Sequence, residues 1–175
     1  PLRRQRQMCI RDSFGPALLL SLALSVAFDL PALLVASVVP DVEPFYVMYF
    51  RVSGYELHGF FHSYLGSSIL AVLVAVVMYP FRNLLNRVMA AFRLSRKSSF
   101  KKILLTSFVG VYSHVFLDSF LYRKMVPFYP LEGNPFFDVL SGYGTYSVVY
   151  GFCSVAFFLG VILYFYRIKW YKPKS

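Results

Sequence analysis

Residues 148–166 read VVYGFCSVAFFLGVILYFY, nineteen consecutive positions without a charge. About 20 apolar residues cross the hydrocarbon core of a bilayer as a helix, and a soluble domain interrupts such runs with polar positions. This stretch sets the class, a membrane-spanning helix. Three other regions come near the same length: 103–121, 60–79 ending at Pro80, and 16–39, which is interrupted by Asp29-Leu30-Pro31. The rest of the composition agrees. The 175 residues are 58% hydrophobic and only 15% charged, against about 25% charged in soluble domains. That excludes an ordinary soluble enzyme and, more strongly, a disordered chain.

Proline is disfavoured inside a helix and Asp29 suits an N-cap, so 16–39 reads as two short helices. Each is too short to cross alone, which predicts a re-entrant or strongly kinked pair packed on the other spans. The expected fold is all-α, a polytopic transmembrane helical bundle of about four to five helices with that pair at its N-terminus. Residues 3–13 (RRQRQMCIRDS) back-translate continuously into a transposase-type sequencing adapter. Residues 1–13 are therefore read as non-native and 14–175 as a single membrane domain. Setting them aside removes Cys9 and leaves Cys153, so there is no disulfide framework.

Net charge is +10. The segment 82–102 carries Arg82, Arg87, Arg93, Arg96, Lys97, Lys101 and Lys102 without an acid, and the tail carries Arg167, Lys169, Lys172 and Lys174. The positive-inside rule makes both cytoplasmic, in an inner or plasma membrane. The loop 122–147 and the region from Asp41 to His62 then lie outside. No aromatic interleaving in 82–102 suggests nucleic-acid binding, and contact with anionic lipid explains its charge more simply.

The polar residues are scarce and patterned. Histidine occurs only at 58, 62 and 114. Pro40-Asp41-Val42-Glu43-Pro44 follows an apolar run and reads as a polar terminus at a membrane boundary. His58 and His62, at i and i+4, would share one helix face. His114 and Asp118 have the same spacing inside a hydrophobic span, where ionisable groups are costly and usually functional. The topology drawn from Lys and Arg puts all six at one depth. Neutral imidazoles and carboxylates without thiolate suit Zn²⁺, Mn²⁺ or Fe²⁺, one ion or two.

In order and spacing, these three stretches resemble the family of membrane-bound metal-dependent hydrolases, whose bacterial members include a LexA-regulated inner-membrane protein. The pattern of that family runs Pro-Asp-hydrophobic-acid, His-(Arg)-Gly-x-x-His-Ser, and His-x-x-x-Asp before a Pro-rich aromatic stretch. Val126-Pro127-Phe128-Tyr129-Pro130 is similar to the last part. Gly59 directly follows His58 where the family often has Arg, and Phe61 stands where Thr is frequent. The family's histidine at the start of the first helix would fall at or just before Ser13, where the adapter-like residues begin.

The resemblance implies an integral-membrane metal-dependent hydrolase, and a site at the outer membrane boundary favours an amphipathic or lipid-like ester or phosphoester, attacked by a metal-activated water. Asp41, His58, His62, His114 and Asp118 are the expected ligands of a divalent ion, with zinc favoured over manganese or iron. Glu43 is the expected general base or additional ligand, and Glu56 the second choice. Membrane lipid is the expected partner. The same residues would also serve a non-enzymatic metal-binding or small transport protein, or a set of His–Asp pairs that only join helices.

Overall fold

The computed structural model describes residues 14–50, 57–137, 139–140 and 144–170. Among these residues every regular element is helical. The apolar helix α1 covers Phe14–Ala23. It is followed by α2 (Leu30–Ala36), α3 (Val42–Phe50), α4 (Tyr64–Ala91), α5 (Phe100–Leu121) and α6 (Thr145–Trp170). Among the described residues, four segments are long and apolar enough to cross a bilayer: Leu30–Phe50, α4, α5 and Thr145–Lys169 of α6. The chain is a helical membrane bundle.

The pair expected over 16–39 is present as α1 and α2, and α2 continues through a turn into α3, which makes the longer Leu30–Phe50 segment. Asp29 caps α2, its Oδ1 accepting from Ala32 N at 3.0 Å. A 3₁₀ turn over Val39–Asp41 then links α2 to α3. Pro31, Pro40 and Pro44 each fall in the first turn of a helical piece, where a missing N–H costs nothing. The prolines bend the segment without ending it. Asp41 and Glu43 are consequently buried inside the span, not set at its end.

Pro80 likewise fails to end α4, which runs 28 residues through it. Its lost backbone bond is tolerable in a membrane helix. Next to it, Arg82 donates from Nη1 to Tyr79 O at 2.9 Å and lies 4.1 Å above the Tyr79 ring. The basic segment is therefore helical as far as Ala91. Arg93, at φ 58°, turns the chain, and the Ser99 side chain caps α5 by accepting from Lys102 N.

Helices in lipid gain little from burying apolar surface against each other, so small residues that allow close approach matter most. Ala32, Ala36, Ala71 and Ala75 form the contact between α2, α4 and α5. Gly110 of α5 rests directly on Ala36, and a Cβ there would stand 2.6 Å from the Ala36 Cβ. Large side chains such as Val72, Val76, Phe158 and Ile162 point outward, as lipid-facing residues should.

The bundle has two polar ends. At one, the turn between α1 and α2 is tied down. Lys102 Nζ donates to Ser25 O at 3.4 Å, Arg167 Nη1 to Ser25 Oγ at 2.6 Å, and Asp29 N to Thr106 Oγ1 at 3.1 Å. The other end lies about 18 Å along α5, twelve residues on from Lys102 at 1.5 Å each. There the loop after α5 folds back. Asn134 Nδ2 donates to Ser119 O at 2.7 Å and Tyr122 O at 2.9 Å, and Tyr64 N donates to Pro127 O at 2.8 Å. This is the end that gathers the histidines.

Candidate metal centre

The site begins at Gly110. Its bare backbone brings α2 against α5, and one turn further along α5 the His114 Nδ1 lies 2.8 Å from Ser37 O. A carbonyl oxygen can only accept, so Nδ1 carries the hydrogen. His114 Nε2 then faces two carboxylates, Asp118 Oδ2 at 3.4 Å and Asp41 Oδ1 at 3.6 Å. A nitrogen lone pair aimed at two anionic oxygens is repulsive, so a cation belongs between them. That cation is either a proton on Nε2 or a metal ion.

His62 repeats the arrangement from another element. Its Nδ1 lies 3.0 Å from Glu43 Oε2, which also accepts from Gly59 N at 3.1 Å. Its Nε2 is turned toward Asp118 Oδ2 at 3.9 Å. A carboxylate behind a histidine is the usual device for fixing the tautomer and direction of a metal-ligating imidazole. Glu43 therefore stands behind His62, on the ring nitrogen opposite the one turned toward Asp118.

His58 and His62 meet, but not on one helix face. His58 lies in the loop and His62 ends a 3₁₀ turn over Phe60–His62. The α-helix begins only at Tyr64, where Ser63 caps it by accepting from Gly66 N. Gly66 is needed there, because a Cβ would overlap the Phe60 carbonyl. The two rings are edge to face at 4.7 Å. Tyr122 stacks on the other face of His58 at 3.7 Å, leaving His58 Nε2 3.8 Å from Asp118 Oδ2. Burial and the neighbouring His62 push His58 down to about 4. It is neutral near pH 7 and has a lone pair to offer.

Asp41, His62, His114 and Asp118 each present one ligand atom, and these four atoms lie within 4.8 Å of one another. All four residues are buried, His62 and His114 at 0% exposure. Both Asp41 oxygens, Asp118 Oδ2 and the Nε2 atoms of His58 and His62 have no hydrogen-bond partner among the described residues. Leaving so many polar atoms buried and unsatisfied is expensive. A single cation in their midst satisfies them together. Bonds of 2.0–2.1 Å put tetrahedral zinc ligands about 3.4 Å apart, close to the 3.4 and 3.6 Å found around His114. The residues fit a divalent ion.

A family model described as YdjM inner membrane protein matches residues 13–173. The chain belongs to that family. No curated protein and no solved structure matches it. Family membership and the four apolar spans make this YdjM-family chain a multi-pass membrane protein.

In this YdjM-family chain the structure brings Asp41, His58, His62, His114 and Asp118 together, with Glu43 behind His62. Glu56 and residues 1–13, including the place expected for a further histidine, lie outside the described residues. Two contributors escaped sequence reasoning. Ser37 acts through its backbone carbonyl, which leaves no signature in a sequence. Tyr122 was one of 14 tyrosines, and only its position directly after α5 sets it apart.

Proposed function

We propose that this protein is an integral-membrane metal-dependent hydrolase. The observation that carries the reading is the pairing of Ser37 O with His114 Nδ1 and of Glu43 with His62 Nδ1. Both imidazoles are thereby turned so that Nε2 points at Asp118, and that of His114 at Asp41 as well. Asp41, His62, His114 and Asp118 would hold the ion, with His58 beside them. Zinc suits this donor set best, with manganese or iron as alternatives. A bound divalent ion supplies Lewis acidity and lowers the pKa of a coordinated water toward neutrality.

The chain's own residues do the rest. Ser37 and Glu43 lock the two tautomers, Tyr122 holds the His58 ring, and the surrounding spans keep bulk water out. Glu43 acts as a positioning residue, since its Oε2 is committed to His62 and Gly59 N. The substrate class this supports is an amphipathic or lipid-like ester reaching the site from the membrane.

The transporter reading needs a polar path beyond the site. Toward the Lys102 end lies instead an apolar plug of Leu70, Ala71, Val74, Met78, Ile103 and Val111. The buried Ser67 and Ser107 hydroxyls are engaged with backbone carbonyls of their own helices. This favours an enzyme over a conduit.

Sidedness follows from charge. The basic segment 82–102 and the basic C-terminal tail belong in the cytoplasm, and the candidate metal centre lies at the opposite, extracytoplasmic end. The test of activity is hydrolysis of chromogenic carboxylic and phosphate esters in detergent. Turnover should vanish on chelation and return with Zn²⁺ or Mn²⁺. Turnover indifferent to chelator, or equal in His114→Ala, would overturn the hydrolase reading.

A further inference from the structure

Beside the cluster opens a cavity of about 370 Å³. Two spans that hold the cluster also build it. Asp41, Pro44 and Met48 are spaced i, i+3 and i+7, so the face that carries Asp41 continues into α3 as Pro44 and Met48. Asp118, Leu121 and Tyr122 do the same where α5 ends. Pro44, Met48, Leu121 and Tyr122 all line the cavity. Leu121 lies three residues beyond Asp118, about 4.5 Å along the helix, so cluster and cavity share nearly one depth. His58 joins them. It lines the cavity, and its Nε2 is 3.8 Å from Asp118 Oδ2.

The space is walled mainly by apolar, adaptable side chains. Met125 and Phe137, from the loop after α5, close it against Pro44, Met48 and Leu121. Methionine is unbranched and flexible, and reshapes around what it touches. The Tyr146 hydroxyl, also at this cavity, already donates to Leu121 O at 3.3 Å. Water finds few partners along such a wall, and an empty apolar space forfeits dispersion contacts. The material at hand in a bilayer is hydrocarbon. A linear chain suits walls that yield in small steps, and only the His58 end leads to the cluster.

We infer that the cavity is an acyl-chain subsite of the candidate metal centre. Pro44, Met48, Met125 and Phe137 hold one aliphatic chain, whose polar head lies against His58. The inference deepens the hydrolase reading and rests on it only for that head being a scissile ester. Met48 is seven residues from Asp41, about 10 Å along the span, so it meets the chain well away from the head. Met48 is therefore the residue that limits chain length.

The test is calorimetric binding of monoalkyl glycerol ethers, from butyl to decyl, to the full chain in a steroid-based detergent. These ethers have no ester to hydrolyse, and the detergent has no alkyl chain to compete. Metal content is measured on each sample. Affinity should rise up to about fourfold per methylene, the transfer value of one buried CH₂, and then level off. Met48→Trp should bring the plateau at shorter chains with metal content unchanged, and Met48→Leu should keep the wild-type profile. Affinity independent of chain length, or a plateau unmoved in Met48→Trp, would overturn the inference. A decalinyl ether binding as tightly as the decyl ether would overturn the linear-chain assignment in favour of a fused ring. The predicted profile in a protein that hydrolyses no ester would uphold the subsite while the hydrolase reading fails.

Discussion

His114 Nδ1 lies 2.8 Å from the Ser37 carbonyl oxygen, and Gly110, one turn earlier on α5, is what allows it. The hydrogen bond orients the imidazole, and the glycine contact sets the distance between the helices that make it. Gly110→Ala puts a methyl group 2.6 Å from the Ala36 Cβ. Overpacking of this kind costs about 1–3 kcal/mol, and the shift of α2 should also loosen Ser37 from His114. We predict a lower unfolding midpoint in detergent together with reduced metal occupancy. Unchanged occupancy in a destabilised variant would separate the helix contact from the site.

Glu43→Gln separates positioning from proton transfer. With Glu43 behind His62, the variant should bind metal about 10–100-fold more weakly, the usual effect of losing such a partner. His62→Ala should lose binding outright. If Glu43 were instead the general base, Glu43→Gln would keep full metal affinity and lose only turnover. Metal titration by calorimetry checks which of the two holds.

The chelated protein should become less stable as pH falls from about 6.5 toward about 4. His58 is pushed down to about 4 from an ordinary value of 6.5. Between these values the unfolded chain binds a proton that the folded chain refuses. Unfolding stability therefore rises with pH across the window, and is lost as pH falls through it. His58→Asn should flatten this slope. An equally steep slope in the variant would place the titration elsewhere.

Metal removal should destabilise the whole bundle, because the cluster joins the Leu30–Phe50 span, the Phe60–His62 turn and α5. An ion that binds only the folded state at 100 times its Kd contributes about 2.7 kcal/mol. The midpoint should rise with added Zn²⁺ in the wild type. In Asp118→Asn, which removes the carboxylate shared by all three histidines, the rise should be small or absent.

The parts of this site that sequence conveys are those set by spacing along one helix. His114 and Asp118 meet because an α-helix puts i and i+4 on one face, and α5 and α6 stand out by their apolar length. Elsewhere the signals pointed the wrong way. Pro80 read as the end of a span, yet α4 runs through it, because a membrane helix tolerates an interior proline. His58 and His62 looked like a helical pair. Ser63 delays the α-helix until Tyr64, and the two rings are brought together by a loop and a 3₁₀ turn. Ser37 acts through its backbone, and the role of Gly110 depends on a neighbour 74 residues away in sequence. No local pattern encodes either.

The most direct measurement is elemental mass spectrometry of the detergent-purified protein beside a His62→Ala/His114→Ala variant. The wild type should carry close to one or two equivalents of zinc, manganese or iron, and the variant none. A wild-type protein that is folded yet free of metal, even after incubation with these ions, would contradict it. A proton on His114 would then be the cation among the carboxylates, and the cluster a means of joining helices.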